Sequence, residues 1–411
     1  MRHALPEARP GATLARDAAE ARAAAELKAR YGVDASTLRL VSANEEKRPA
    51  RTDWTFTWAD PRTDVGKGGE ARTVIALSGD EPAANGRYVF VPEDWTRADQ
   101  ERSNRAQIIA LLGGLVFAVA GLAGVVVGVV SWTRRRCDVR ALALVFAITA
   151  VVTLAQAANN LPSLQMSLQT AEPLWSQWLT RVLGAVAGGL VGALLFGLLA
   201  GVAAWGARAA PRGALAGRLP PWAMGVAAAL LVVGVQTALG ALAPQRAPTW
   251  PPLPQSQVSM LLGGALTGVN FIMYAGAGLF VVYLVARLTH GFSRRAWLGV
   301  GLVVLLQCAS SLAQSGGQYV TALVAGVAGG LTGGAVLWWV LRYDMRMVPP
   351  YLATGTILAA AARAAQAGTT DAWMAFAVQA IVTAAMAALV VRYIGRPLPV
   401  GAPVPAPVVA A

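Results

Sequence analysis

Lysine is missing from everything beyond Lys67, and histidine occurs only twice in 411 residues, as His3 and His290. From residue 107 to the end there are four acids, Asp138, Glu172, Asp344 and Asp371. These shortages exclude most of the chemistry a membrane enzyme uses. Two histidines so far apart, one beside Arg294 and Arg295, build neither an intramembrane zinc site nor a serine–histidine pair. Without lysine there is no Gly-x-x-x-x-Gly-Lys phosphate loop, and no cofactor motif is present. The four acids fall in loops or at the ends of apolar runs, so none is placed to couple a buried carboxylate to proton or cation movement. Cys137, in an arginine-rich loop, and Cys308, in an apolar run, offer no disulfide framework.

What is abundant is apolar sequence. Hydrophobic residues make up 56% of the chain and charged ones 13%, about half the charge of an ordinary soluble domain. That composition implies an integral membrane protein, and nine apolar runs approach the ~20 residues needed to cross ~30 Å of hydrocarbon. They lie at 108–132, 141–160, 181–205, 222–242, 259–286, 296–314, 319–341, 347–366 and 372–394. The sixth and eighth are short and comparatively polar, which puts their crossing in question. The expected fold is therefore an all-α multi-pass helical bundle of about nine transmembrane helices over 108–395, preceded by a small soluble α+β domain over 1–92.

That first domain reads as one helix and about four antiparallel strands. Residues 11–30 have a helical period with Leu14, Ala18, Ala21, Ala25 and Ala29 on one face. The period then changes to two in "LRLVSA" (38–43), "DWTFTW" (53–58), "RTVIALS" (72–78) and "RYVFV" (87–91), separated by turn-forming residues. Trp54, Phe56 and Trp58 alternate with threonines and so share a sheet face, where they are expected to pack under the helix. Pro92, Glu93 and Asp94 suit a helix first turn, so 93–107 is expected to be a helical stalk. Residues 396–411, with spaced prolines, read as an extended tail.

The net charge of +13 belongs entirely to the membrane portion, because residues 1–106 are balanced. Arginines spread over short loops record membrane orientation rather than nucleic-acid binding. Alternate loops collect Arg134, Arg135, Arg136, Arg140, Arg208, Arg212, Arg218, Arg287, Arg294, Arg295, Arg342, Arg346, Arg392 and Arg396 on one side. The other side has Arg181, Arg246 and Arg363, with Arg97, Arg102 and Arg105 of the stalk. The arginine-rich side is expected to be the cytoplasmic face of a bacterial inner membrane. The N-terminal domain is then extracytoplasmic and the C-terminus cytoplasmic. The first residues have no apolar core that would export the domain, so a membrane helix upstream of Met1 is the preferred expectation, the alternatives being a first span that translocates its own N-terminal domain or a span count that is off by one.

Small residues four apart mark helix packing: Gly184, Gly188 and Gly192, then Gly197 and Gly201, then Gly326, Gly330 and Gly334 beside Gly329 and Gly333. Polar side chains within the runs are the candidate intramembrane site. Asn270 and Tyr274 lie one turn apart, Gln307, Ser310, Ser311 and Gln314 form a stripe, and Arg363 with Gln366 could meet Glu172 or Asp371. Amides bind rather than catalyse, and hydrogen bonding between helices is the preferred use of these residues, with a substrate pathway as the alternative. Gln156, Asn159 and Asn160 close the second run.

Several stretches resemble the bacterial CAAX-protease and bacteriocin-processing (CPBP) membrane family. They are "RPARTDWTFTW" (48–58), "VIALSGDE" (74–81) and "RYVFVPEDWTR" (87–97), then "NNLPSLQMSLQTAEPLWSQ" (159–177) and "LRYDMRMVP" (341–349). The resemblance implies an extracytoplasmic domain leading into the spans. It does not extend to catalysis. The family's Glu-Glu-x-x-x-Arg and histidine motifs are missing, since Glu45-Glu46 is in the soluble domain and no histidine lies in a span. The expected function is therefore that of a non-enzymatic binding, sensor or scaffold protein. Its partners would be the lipid bilayer and another membrane protein, with no metal and no cofactor. A transporter or channel using the polar stripe, and an intramembrane protease-like enzyme, are the alternatives.

Overall fold

The computed structural model describes residues 5–66, 68–169, 173–209, 220–242, 257–289, 292, 295–313 and 319–397. The chain divides into two compact units, 1–104 and 105–411. In the first, helix α1 (Arg16–Tyr31) precedes a four-stranded antiparallel meander of β1 (Arg39–Arg48), β2 (Arg51–Asp60), β3 (Glu70–Ser78) and β4 (Glu81–Phe90), in spatial order β1-β2-β3-β4. Register places Phe56 opposite Ile75 and Trp54 opposite Leu77, so apolar pairs from the two central strands share one face. Trp54, Phe56 and Trp58 stack in a row with centroids 5.7 Å apart and are buried beneath α1.

The buried face of α1 is Ala19, Ala23 and Leu27, whereas Ala18, Ala21, Ala25 and Ala29 are exposed. The expected face is thus rotated by one residue. Alanine is so frequent in this helix that several faces are equally apolar, and the single leucine within it selects which one meets the tryptophans. Gly32 ends the helix in the left-handed region, its N–H returning to the carbonyl of Lys28. Buried Arg51 ties the N-terminal segment to the sheet. Its guanidinium holds Asp53 and donates to the carbonyls of Pro6 and Arg9, both at 2.8 Å.

The second unit contains the apolar helices. Helix α2 (Glu93–Thr133) is continuous through the boundary between the units. It is followed by α3 (Val139–Asn159), short α4 (Leu161–Met166), α5 (Leu174–Ala209), α6 (Pro221–Leu242), α7 (Met260–Val269) and α8 (Phe271–Leu288). Then come α9 (Ala296–Ala313), α10 (Tyr319–Trp339), α11 (Val348–Ala367) and α12 (Thr370–Ile394). Among the described residues, seven helices are long and apolar enough to cross a membrane, with α7 and α8 counted as one. The two expected runs outside that seven are the sixth and eighth, α9 and α11. The first is short, and the second carries Pro349, Pro350 and Arg363. The fifth run is broken at Asn270.

Glycine lets these helices touch backbone to backbone. A Cβ on Gly326 would lie 2.7 Å from Cys308 Cα, and one on Gly330 2.6 Å from Val304 Cα, so the glycine face of α10 is seated on α9. Gly197 and Gly201 of α5 meet α3 in the same way, at Leu142 O and Asp138 O. The expected packing stripe of Gly184, Gly188 and Gly192 is different, since nothing among the described residues lies within 4 Å of a Cβ at any of the three. Spacing alone does not supply a neighbour. Consequently Gly330→Leu is expected to lower unfolding stability in detergent by about 1–3 kcal/mol through overpacking. Gly188→Leu should leave it within about 0.5 kcal/mol; equal losses in the two melts would contradict this packing.

Candidate functional site

Asp138 is the N-cap of α3, and its Oδ1 accepts from the backbone N–H groups of Arg140 (3.1 Å) and Ala141 (3.2 Å). Its Oδ2 accepts from Arg208 Nη1 and from the Tyr393 hydroxyl, the latter at 2.9 Å. Arg208 is in the last turn of α5 and Tyr393 in the last turn of α12, so one carboxylate joins the ends of three helices. Arg208 is used fully, donating from Nε to Arg396 O (3.1 Å) and from Nη2 to Pro397 O (2.7 Å). Asp138 and Arg208 side chains are only 9% and 13% exposed. Beside them, burial and secondarily the Asp138 charge push the Cys137 thiol up to about 11, which keeps it protonated and unreactive at neutral pH.

Tyr393 of this clasp also lines a cavity of about 340 Å3 between α3, α5, α8 and α12. Its walls are apolar: Val145 and Ile148 from α3, Ala200 and Ala204 from α5, Ile272 and Leu279 from α8, Met386 and Val390 from α12. Leu144 and Leu389 also line it and are 53% and 57% exposed, so the cavity opens sideways along the outer surface of the bundle. Tyr393, Arg392 and Arg396 line it near the clasp. The volume falls within the range of small-molecule sites, and apolar walls with a few convergent polar groups are their usual make-up.

At the other end of α3, buried Asn159 pairs with Ser259 twice. Its Oδ1 accepts from Ser259 N (2.9 Å) and its Nδ2 donates to Ser259 O (3.0 Å). Ser259 in turn caps α7 by accepting from Leu262 N. The intervening turn is held by Gln177, which exchanges hydrogen bonds with the backbone of Gln169, and by Arg181, which donates to Ser167 O at 2.9 Å.

The polar residues expected to form an intramembrane site are distributed among several packing interfaces. Asn270 sits in the break between α7 and α8, its Oδ1 buried without a partner among the described residues. Tyr274 is 49% exposed. Gln307 meets Gln236 of α6 across Gly329, where a Cβ would lie 3.2 Å from Gln236 Nε2 and 3.5 Å from Gln307 Cγ. Ser310 and Ser311 are half-buried on α9, and Arg363 and Gln366 are exposed on α11. Gln314, Glu172 and His290 lie outside the described residues, as do Arg212, Arg218, Arg246, Arg294 and the tail beyond residue 397. Among the described residues, no three His, Cys, Asp or Glu side chains come together.

Helix ends clasped by a carboxylate, close glycine contacts and seven long apolar helices define a helical membrane protein with a small N-terminal antiparallel sheet domain. No family model, curated protein or solved structure matches the chain. The likeness to the CPBP family therefore rests on the quoted sequence stretches alone. Breaking the clasp has a defined expectation. Asp138→Ala leaves Arg208 buried without its counter-charge and should cost about 3 kcal/mol. In a double-mutant cycle, adding Arg208→Ala should cost much less in that background than in the wild type; strict additivity would show that the pair is not coupled.

Proposed function

We propose that the protein is a non-enzymatic, multi-pass binding protein of a bacterial cytoplasmic membrane that takes an amphiphile sideways from the bilayer. The supporting observation is the cavity between α3, α5, α8 and α12, which has apolar walls, a lateral opening and a polar end at the clasp. An acyl chain fits such walls because each buried methylene contributes about 0.8 kcal/mol on leaving water. In the bilayer that gain is already made, so the polar end decides which lipid stays. The clasp holds α3, α5 and α12 at one end and keeps the cavity from closing. Filling it with Val145→Trp should cut the lipid retained through purification by about tenfold, measured by mass spectrometry of the extracted protein. Unchanged retention by a folded Val145→Trp protein would contradict the reading.

The topology that accompanies this function has nine crossings, α9 and α11 included. The N-terminal unit is then outside and the arginine-rich helix ends, with the clasp among them, are inside. In this layout, shared with the CPBP family, the soluble domain serves as the sensor or scaffold part. The arginine asymmetry between alternate loops supports the orientation. Single cysteines at positions 99 and 135 in a Cys137→Ser, Cys308→Ser background should react with an impermeant maleimide from opposite sides of the membrane. Labelling from the same side would show that α2 does not cross, and would refute this topology at its first span.

A further inference from the structure

We infer that the amphiphile is an anionic, phosphate-headed membrane lipid, with its chain in the cavity and its headgroup on Arg392 and Arg396. The inference rests on the cavity reading above and adds the chemistry of the headgroup. Among the described residues, the cations near the clasp differ in their partners, and exposed Arg140, near Tyr393, does not line the cavity. Arg208 is neutralised by Asp138, and Arg346 by Asp344. Arg392 and Arg396 both line the cavity, are exposed, and form no ion pair among the described residues. Arg392 is in the last turn of α12, and Arg396 lies two residues past its end. Arg396 is also fixed in place, because its carbonyl accepts from Arg208 Nε at 3.1 Å.

Two planar guanidiniums lining one cavity suit a tetrahedral phosphate, which offers several charge-bearing oxygens and accepts paired N–H donors. The adjoining polar groups do not compete for that role. Asp138 already accepts from Arg208, Tyr393 and two backbone N–H groups. The source is the bilayer rather than free phosphate in solution, because the same cavity is walled by Val145, Ile148 and Val390 and opens past exposed Leu144 and Leu389. A neutral zwitterionic lipid would place a cationic choline or ethanolamine beside two uncompensated arginines, so the net charge of the head is what distinguishes ligands.

The full chain in a neutral detergent should be offered phosphatidylglycerol and phosphatidylcholine of identical acyl chains at equal concentration, and retention read by native mass spectrometry. Wild-type protein is expected to keep phosphatidylglycerol on the order of tenfold in preference, from two arginines at the headgroup level. Arg392→Gln/Arg396→Gln should bring the ratio near one while total lipid retention persists. Arg134→Gln/Arg135→Gln, changing exposed arginines of the α2–α3 connection, should leave the preference intact. No preference in the wild type, or one that survives Arg392→Gln/Arg396→Gln, overturns the inference. So does a preference lost equally in Arg134→Gln/Arg135→Gln, since it then reflects diffuse surface charge. In the same assay Val145→Trp separates the two claims. Retention of both lipids at the wild-type level would remove the cavity itself as the site, whereas loss of both with failure only of the arginine arm would leave a cavity without headgroup selection.

Discussion

One carboxylate holds the ends of three helices together. Asp138 uses one oxygen on the backbone of its own helix and the other on Arg208 and Tyr393, so α3, α5 and α12 converge where they would otherwise splay. In hydrocarbon, neighbouring apolar helices gain nothing from the hydrophobic effect by associating, because lipid tails are as apolar as leucine. A charged contact that is largely buried and completely hydrogen-bonded then counts for more than its number suggests. Arg208 extends the same network to the carbonyls of Arg396 and Pro397, which fixes the chain just past α12.

Elsewhere the bundle is held by shape. Gly326 and Gly330 bring α10 onto α9, Gly264 and Gly268 bring α7 onto α12, and Gly276 brings α8 onto Ala200 of α5. In each case a Cβ would come within 2.8 Å of the neighbour. Between α3, α5, α8 and α12 that close fit stops and a cavity remains, although Gly276 and Ala200 are part of its lining. Small residues therefore do two things here. They close some interfaces, and where four helices meet they leave room that larger side chains would fill.

Much of the fold was legible from pattern. The alternation in Trp54, Phe56 and Trp58 placed three rings on one face because strand side chains alternate strictly, and the glycine spacing of α10 marked a packed face. The alanine-rich α1 was ambiguous because its apolar residues occupy several faces, and Gly184, Gly188 and Gly192 have the right spacing but no neighbour among the described residues. The clasp was not legible at all. Asp138 and Arg208 are 70 positions apart, and Asp138 and Tyr393 are 255 apart, so no local pattern links them. Arg208 reads as an orientation signal and Asp138 as a loop acid, and nothing in the pattern marks Tyr393. Gln236 escaped notice because a lone amide in an apolar run has no periodic partner, and only folding places it with Gln307 over Gly329.

The account depends on the space between α3, α5, α8 and α12 being occupied by lipid. An electron cryo-microscopy map of the full chain in nanodiscs containing phosphatidylglycerol tests that most directly. Elongated density running past Val145 and Val390, with its head within hydrogen-bonding distance of Arg392 and Arg396, is the predicted result. Collapse of α12 onto α3 that eliminates the space, or a well-ordered bundle with no density in it, would contradict the account.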